Sequence, residues 1–105
     1  PGMTGAAAPE PGAPELAAVR EALRGVRDPE VGLDVVALGL VYGIEIEGRR
    51  VRIRHTLTTR GCPMGAVIGR GIRAAVEGLP GVEEVEIELV WEPAWHAGMI
   101  DGGAL

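Results

Sequence analysis

The sequence predicts a two-layer α/β sandwich, α+β in type, with the element order α-β-β-α-β and a small mixed sheet covered by two helices. Three features carry this: two stretches with apolar residues at three-four spacing, an alternating pair joined by Gly48-Arg49, and a last alternating stretch over 84–91. Apolar residues make up 47% of the 105, which suffices for one modest core.

The first 14 residues, PGMTGAAAPEPGAP, offer only Met3 as a sizeable apolar side chain. They cannot bury enough surface to offset their ordering entropy, so a disordered tail is expected over 1–14 and a folded domain over 15–105. Pro1-Gly2 ahead of Met3 reads as an added dipeptide. Leu16, Val19, Leu23 and Val26 share one face of a first helix, with Pro14 and Glu15 suited to its start and Gly25 and Asp28-Pro29 to its end.

From Val35 to Ile46 the chain is rich in Val, Ile and Leu and runs into a hairpin. With Gly48-Arg49 as a two-residue loop, Glu47 faces Arg50, Ile46 faces Val51, Glu45 faces Arg52 and Ile44 faces Ile53. The same register sets His55 opposite Tyr42. One face is then apolar and the other salt-bridged. Met64, Val67, Ile68, Gly71, Ile72, Ala75, Val76 and Leu79 form the inner face of a second helix, closed by Gly78 and Pro80. In the last strand Val85, Ile87, Leu89 and Trp91 alternate inward against Glu84, Glu86 and Glu88 outward. A strand-helix-strand unit of this length places that strand parallel to the one ending near Leu57, through a right-handed crossover.

Several chemistries are excluded by composition. With no Ser and no Lys in the chain, Ser-His-Asp hydrolysis, Lys Schiff bases and a P-loop are impossible. Ten basic against 15 acidic residues, a net charge of -5, argue against a nucleic-acid partner. The longest nearly unbroken apolar stretch, Val35 to Ile44, is too short to cross a bilayer. A single Cys and the lack of a basic segment followed by an apolar one point to the cytoplasm.

The remaining candidates each carry two readings. Cys62 lies between Gly61 and Pro63 where the second strand gives way to the second helix. With Pro63 at the first helical position, the sulfur sits beside unpaired N–H groups that favour a thiolate; the alternative is a small buried hydrophobe. Asp28-Pro29-Glu30 is either a turn or a pair of carboxylates at a site rim. His55 is either a hydrogen-bonded core residue or a metal ligand, and His96 a solvated surface residue. Trp91 and Trp95 either complete the core or form an aromatic patch for a partner. No closed zinc site is spelled by the spacing of Cys and His.

Taken together, Asp28-Pro29-Glu30, Leu38-Gly39-Leu40-Val41-Tyr42, Thr56-Leu57-Thr58-Thr59 with Gly61-Cys62-Pro63, and Leu89-Val90-Trp91-Glu92-Pro93 with Trp95 resemble one family. It is the small iron-sulfur cluster assembly domain of SufT-like and PaaD-like proteins, and the match runs from about Leu16 to Ile100. The resemblance implies a metal-sulfur cluster assembly or maturation factor, not an enzyme, with Cys62 as the reactive residue and Asp28 near it. Glu30, Thr58 and Thr59 follow as lesser candidates for contact with the cargo. His55 stands where the family usually has Met, and Arg60 where Pro is common. The cargo implied is an iron-sulfur cluster or iron, held transiently and not tightly by one chain alone, since clusters commonly take four Cys ligands. The partners implied are iron-sulfur scaffold or client proteins, with a homodimer that joins two Cys62 thiols as one arrangement. The alternative is a small metalloenzyme or Cys-dependent enzyme with a site built from His55, Cys62 and Asp28, in which His55 and Cys62 ligate a metal.

Overall fold

Arg50, Arg52 and Arg54 alternate with Val51, Ile53 and His55, a period that only an extended strand sorts onto two faces. That strand is β2 (Arg50–His55), the centre of a three-stranded sheet. The computed structural model describes residues 12–60 and 65–100. Around β2 it places α1 (Leu16–Leu23), β1 (Val41–Glu47), α2 (Gly65–Glu77) and β3 (Glu84–Leu89), with a 3-10 turn at Ala97–Met99. The order is the expected one. β1 pairs antiparallel with β2 and β3 pairs parallel, giving the mixed sheet.

The hairpin register is as expected from Glu47 opposite Arg50 to Ile44 opposite Ile53. Beyond that point it shifts. Gly43 faces Arg54, and Val41 rather than Tyr42 faces His55, because a bulge falls between Val41 and Gly43. The Arg54 guanidinium lies across Gly43, where a Cβ would stand 2.6 Å from Nη2, so a larger residue there would displace the end of that side chain.

Both helices cover the same face. Val19 and Leu23 of α1 and Ile68, Ile72 and Val76 of α2 form one core with Val51 and Ile53 of β2, Val85 of β3, and Val35, Leu38 and Leu40 from the segment ahead of β1. Each such side chain contributes about 1.5–3 kcal/mol on burial. Three residues expected inside are not. Leu16 is 50% exposed because the first turn of α1 overhangs the core, where Leu16 flanks a shallow groove with Val36 and Ile44. Val67 is 41% exposed because it sits one residue, about a quarter-turn, off the Ile68–Ile72–Val76 stripe. Leu89 is 45% exposed as the last residue of an edge strand, and Trp91 lies beyond the strand, half-buried. Of the expected tail only residues 12–14 are described, and Pro14 is buried; Met64 lies outside the described residues. Among the described residues no helix is long and apolar enough to cross a membrane.

The opposite face of the sheet is a charge ladder. Arg50 pairs with Glu47 at 3.8 Å and Glu84 at 3.6 Å, and Arg54 pairs with Glu45 at 3.8 Å. Arg52 is shared by Glu45 at 3.6 Å, Glu86 at 3.9 Å and Glu88 at 3.0 Å. These side chains are about half exposed, so each pair contributes only a few tenths of a kcal/mol. Replacing Arg52 by Ala should therefore lower stability by less than about 1 kcal/mol in urea unfolding, with the slope unchanged. A loss above about 2 kcal/mol would show that the ladder is a structural core in its own right.

His55 is the exception on the apolar face, 2% exposed at the end of β2. Burial holds its imidazole below the usual range, and the Nδ1 contact with Thr56 O at 3.1 Å opposes this more weakly. The folded state thus keeps His55 neutral, while the unfolded chain takes up a proton near pH 6.5. The unfolded state binds more protons below that pH, so stability present above it is lost on acidification. His55→Met should flatten the fall in unfolding free energy between about pH 7 and pH 5. Equal slopes in the two proteins would mean that the histidine charges freely in the fold.

Candidate functional site

Parallel pairing makes β2 and β3 end on the same side of the sheet, and α2, returning between them, starts there. A methyl group on Gly65 would lie 2.7 Å from Leu57 Cδ1, so the first residue of α2 rests on the chain just leaving β2. Three connecting segments meet at this end. The segment before β1 joins the end of β2 where Thr56 N–H donates to Leu40 O at 2.9 Å. The segment after β3 joins it where Val90 N–H donates to His55 O at 2.8 Å. The first and last are tied to each other by Trp95 Nε1–H, which donates to Leu38 O at 2.7 Å.

Asp28 is 1% exposed. Its Oδ1 accepts from Glu30 N–H at 2.8 Å and Val31 N–H at 3.4 Å, and its own N–H donates to Leu33 O at 3.0 Å. The carboxylate therefore folds the 28–33 turn, as an Asp before Pro does readily. Glu30 is exposed in the same turn. After β2, Thr58 is half-buried and Thr59 exposed. The guanidinium of Arg60 lies over the Trp91 ring, 4.5 Å from its centroid, which pins the end of the 56–60 segment to the exit of β3. Cys62 lies outside the described residues, between Arg60 and Gly65 in sequence.

His55 has one ring nitrogen committed, Nδ1 facing Thr56 O. His96 is exposed and its Nδ1 accepts from Gly98 N–H at 3.1 Å, closing the 3-10 turn. Tyr42 donates its hydroxyl to Pro93 O at 2.7 Å, and its pKa is raised first by burial and second by the charge of Glu92. Among the described residues, no group of three or more His, Cys, Asp or Glu gathers as metal ligands would.

Two features of this end were not singled out from sequence. Thr56 is fully buried, and its Oγ1 has no hydrogen-bond partner among the described residues. Buried hydroxyls are nearly always paired, so an unpaired one beside the turn that leads to Cys62 marks a place where fold stability is not the only constraint. Thr56 opens the same Thr-Leu-Thr-Thr run as Thr58 and Thr59, and is the one of the three that the fold buries completely. The second feature is the Arg60–Trp91 stack, whose members are 31 residues apart and connect only through the parallel crossover. Both tryptophans do serve packing: Trp91 and Trp95 lie against the core cluster.

The motif-bearing segments that meet here correspond to known proteins. Residues 16–89 match the family model described as iron-sulfur cluster assembly protein. The chain is 43% identical over 75 residues to the Fe-S protein maturation auxiliary factor YitW of Bacillus subtilis, covering 70% of this chain and 74% of that protein. It is 38% identical over 76 residues to the Fe-S protein maturation auxiliary factor SufT of Staphylococcus aureus, covering 71% and 86%. A conserved hypothetical protein of Thermotoga maritima superposes with a TM-score of 0.78 at 38% identity, over 85% of this chain and 88% of that one. With most of its folded length matched, the chain belongs to the iron-sulfur cluster assembly protein family.

Proposed function

We propose that the protein matures iron-sulfur proteins by handling iron or a cluster transiently through the thiolate of Cys62 while docked on a scaffold or client. The observation that supports this reading best is the family match over 16–89, which includes both the Asp28-Pro29-Glu30 turn and the Cys62 turn. Among the similar proteins, three are named maturation auxiliary factors and others iron-sulfur cluster carrier proteins. The chain has one Cys, and a cluster commonly takes four cysteine ligands. The other ligands then come from the client or from a second copy of the chain. Such shared ligation suits transfer: the Cys62 thiolate leaves the iron as a client thiolate takes its place, and no electron changes hands.

In this reading Asp28 positions its turn by accepting backbone N–H groups, while Glu30, Thr58 and Thr59 border the cargo. The reactivity of Cys62 rests on electrostatics. A thiol ahead of a Pro-led helix start meets the positive end of the helix dipole, which favours its ionised form. The metalloenzyme alternative finds no support among the described residues, where no three of His, Cys, Asp or Glu gather as metal ligands would.

Replacing Cys62 by Ala should cost about 1 kcal/mol of stability or less, the order of a weakened helix cap, yet abolish support of client enzymes. Activities of iron-sulfur enzymes in a strain lacking the gene, complemented with either form, read this out. Normal activities with the variant would remove Cys62 from the mechanism. The thiol should also titrate below the unperturbed value of about 8.5, which the pH dependence of iodoacetamide alkylation reports against a short Cys peptide. A midpoint at or above that of the peptide would assign Cys62 to the buried hydrophobes.

A further inference from the structure

β3 closes the sheet on one side, and no described residue adds a strand beyond it. Its ladder fixes which backbone groups look outward. Glu84 N–H donates to Arg49 O and Val90 N–H to His55 O, so the even-numbered residues turn their N–H and C=O groups toward β2. Val85, Ile87 and Leu89 turn theirs to the open edge. Arg73 of α2 bears this out by donating from Nη1 to Val85 O at 2.8 Å.

Edge strands are ordinarily guarded by charges or covering elements. Here the guard is Arg73, and it covers the Val85 end. Toward the other end Leu89 is 45% exposed on the helix side of the sheet. On the same side of α2 as Arg73, one turn earlier, Gly69 has open space where a side chain would stand. Between the outer edge of β3 and α2 there is thus room for apolar side chains of another strand. The opposite face of the edge is acidic. Glu84, Glu86 and Glu88 line β3, and across the sheet five carboxylates, with Glu45 and Glu47, face the three guanidiniums of Arg50, Arg52 and Arg54. Arg52 alone is divided among three of them.

We propose that the β3 edge accepts, by strand addition, an extended segment of a partner protein in which apolar residues alternate with Arg or Lys. The apolar residues enter the space beside Leu89 and Gly69, and the cations meet the unbalanced Glu row. Main-chain hydrogen bonds to Val85, Ile87 and Leu89 supply affinity. A second copy of the chain is the wrong occupant, because pairing β3 with another β3 or with β1 sets Glu against Glu. The site stands on the edge and its charges and does not depend on the role given to Cys62.

The test uses blocked synthetic peptides on the full chain, followed by amide shifts and solvent-exchange protection in NMR. A peptide alternating Val and Arg should bind about tenfold more tightly than one alternating Val and Glu, with new protection at Ile87 and Leu89. N-methylation of every other peptide amide should abolish binding in one phase and spare it in the other, since only one set of amides faces β3. Arg73→Ala, which frees Val85 O, should tighten binding, and Cys62→Ala should leave it unchanged. Equal binding of the two charge patterns, equal binding of the two methylated forms, or shifts that avoid β3 would each overturn the proposal. So would a dimer of the free protein with β3 amides already protected.

Discussion

β2 is paired on both sides, and that constraint organises the rest of the chain. Its antiparallel partner arrives through a two-residue turn, but its parallel partner needs a crossover, which α2 supplies. A helix that carries the chain back along the sheet must begin where β2 and β3 end. The same geometry therefore brings together the leader to β1, the exit of β2 and the exit of β3, segments whose closest members in sequence are 15 residues apart at Leu40 and His55. The hydrogen bonds from Thr56 to Leu40, from Val90 to His55 and from Trp95 to Leu38 are what that convergence looks like at atomic level. Ends of parallel strands facing a helix start are where α/β proteins commonly build sites, and the family motifs of this chain fall in those segments.

With one helical layer, the sheet has one dry face and one wet face, and β2 shows the cost of each. The dry side takes Val51 and Ile53 without difficulty but must also hold His55, which stays neutral there. The wet side is filled with Arg and Glu because long charged side chains cover a sheet face while keeping their heads in water. This sorting leaves the sheet unable to stack on a second apolar layer. The strand ends and the edges are then where apolar contacts with a partner are available, which is where the docking proposed above would take place.

Much of this was legible in the sequence, and the rest failed for identifiable reasons. The hairpin register was readable because a Gly-led two-residue loop and opposed Glu and Arg residues fix both phase and pairing. Parallel β3 followed from the length of the crossover. The bulge at Tyr42 and Gly43 was not readable, since an alternating pattern continues through it unchanged. Leu16, Val67 and Leu89 fit the periodicities yet are exposed, because period identifies a face and says nothing about where the covering layer stops. At the candidate site, the Asp-Pro-Glu turn and the Thr run were visible as motifs. The missing hydrogen bond of Thr56 and the reach of Arg60 to Trp91 are tertiary facts with no local signature.

The polar residues that this fold buries are distributed unevenly. Among the described residues Asp28, His55 and Thr56 are the buried polar ones, at 1%, 2% and 0% exposure. His55 and Thr56 lie at the end of β2 and Asp28 in the segment that leads to β1; the hairpin loop end holds none. Burying a polar group is unfavourable unless its hydrogen bonds are fully made, and here they are made unequally. Asp28 takes up two backbone N–H groups, His55 engages one ring nitrogen, and the Thr56 hydroxyl engages no described residue. On the charged face Nε of Arg52 and of Arg54 is likewise buried without a hydrogen-bond partner among the described residues, but there terminal guanidinium nitrogens reach carboxylates. On the dry face the incompletely bonded polar groups, His55 and Thr56, stand at the end of β2 that leads in sequence to Cys62, a place where packing alone does not account for the residues chosen.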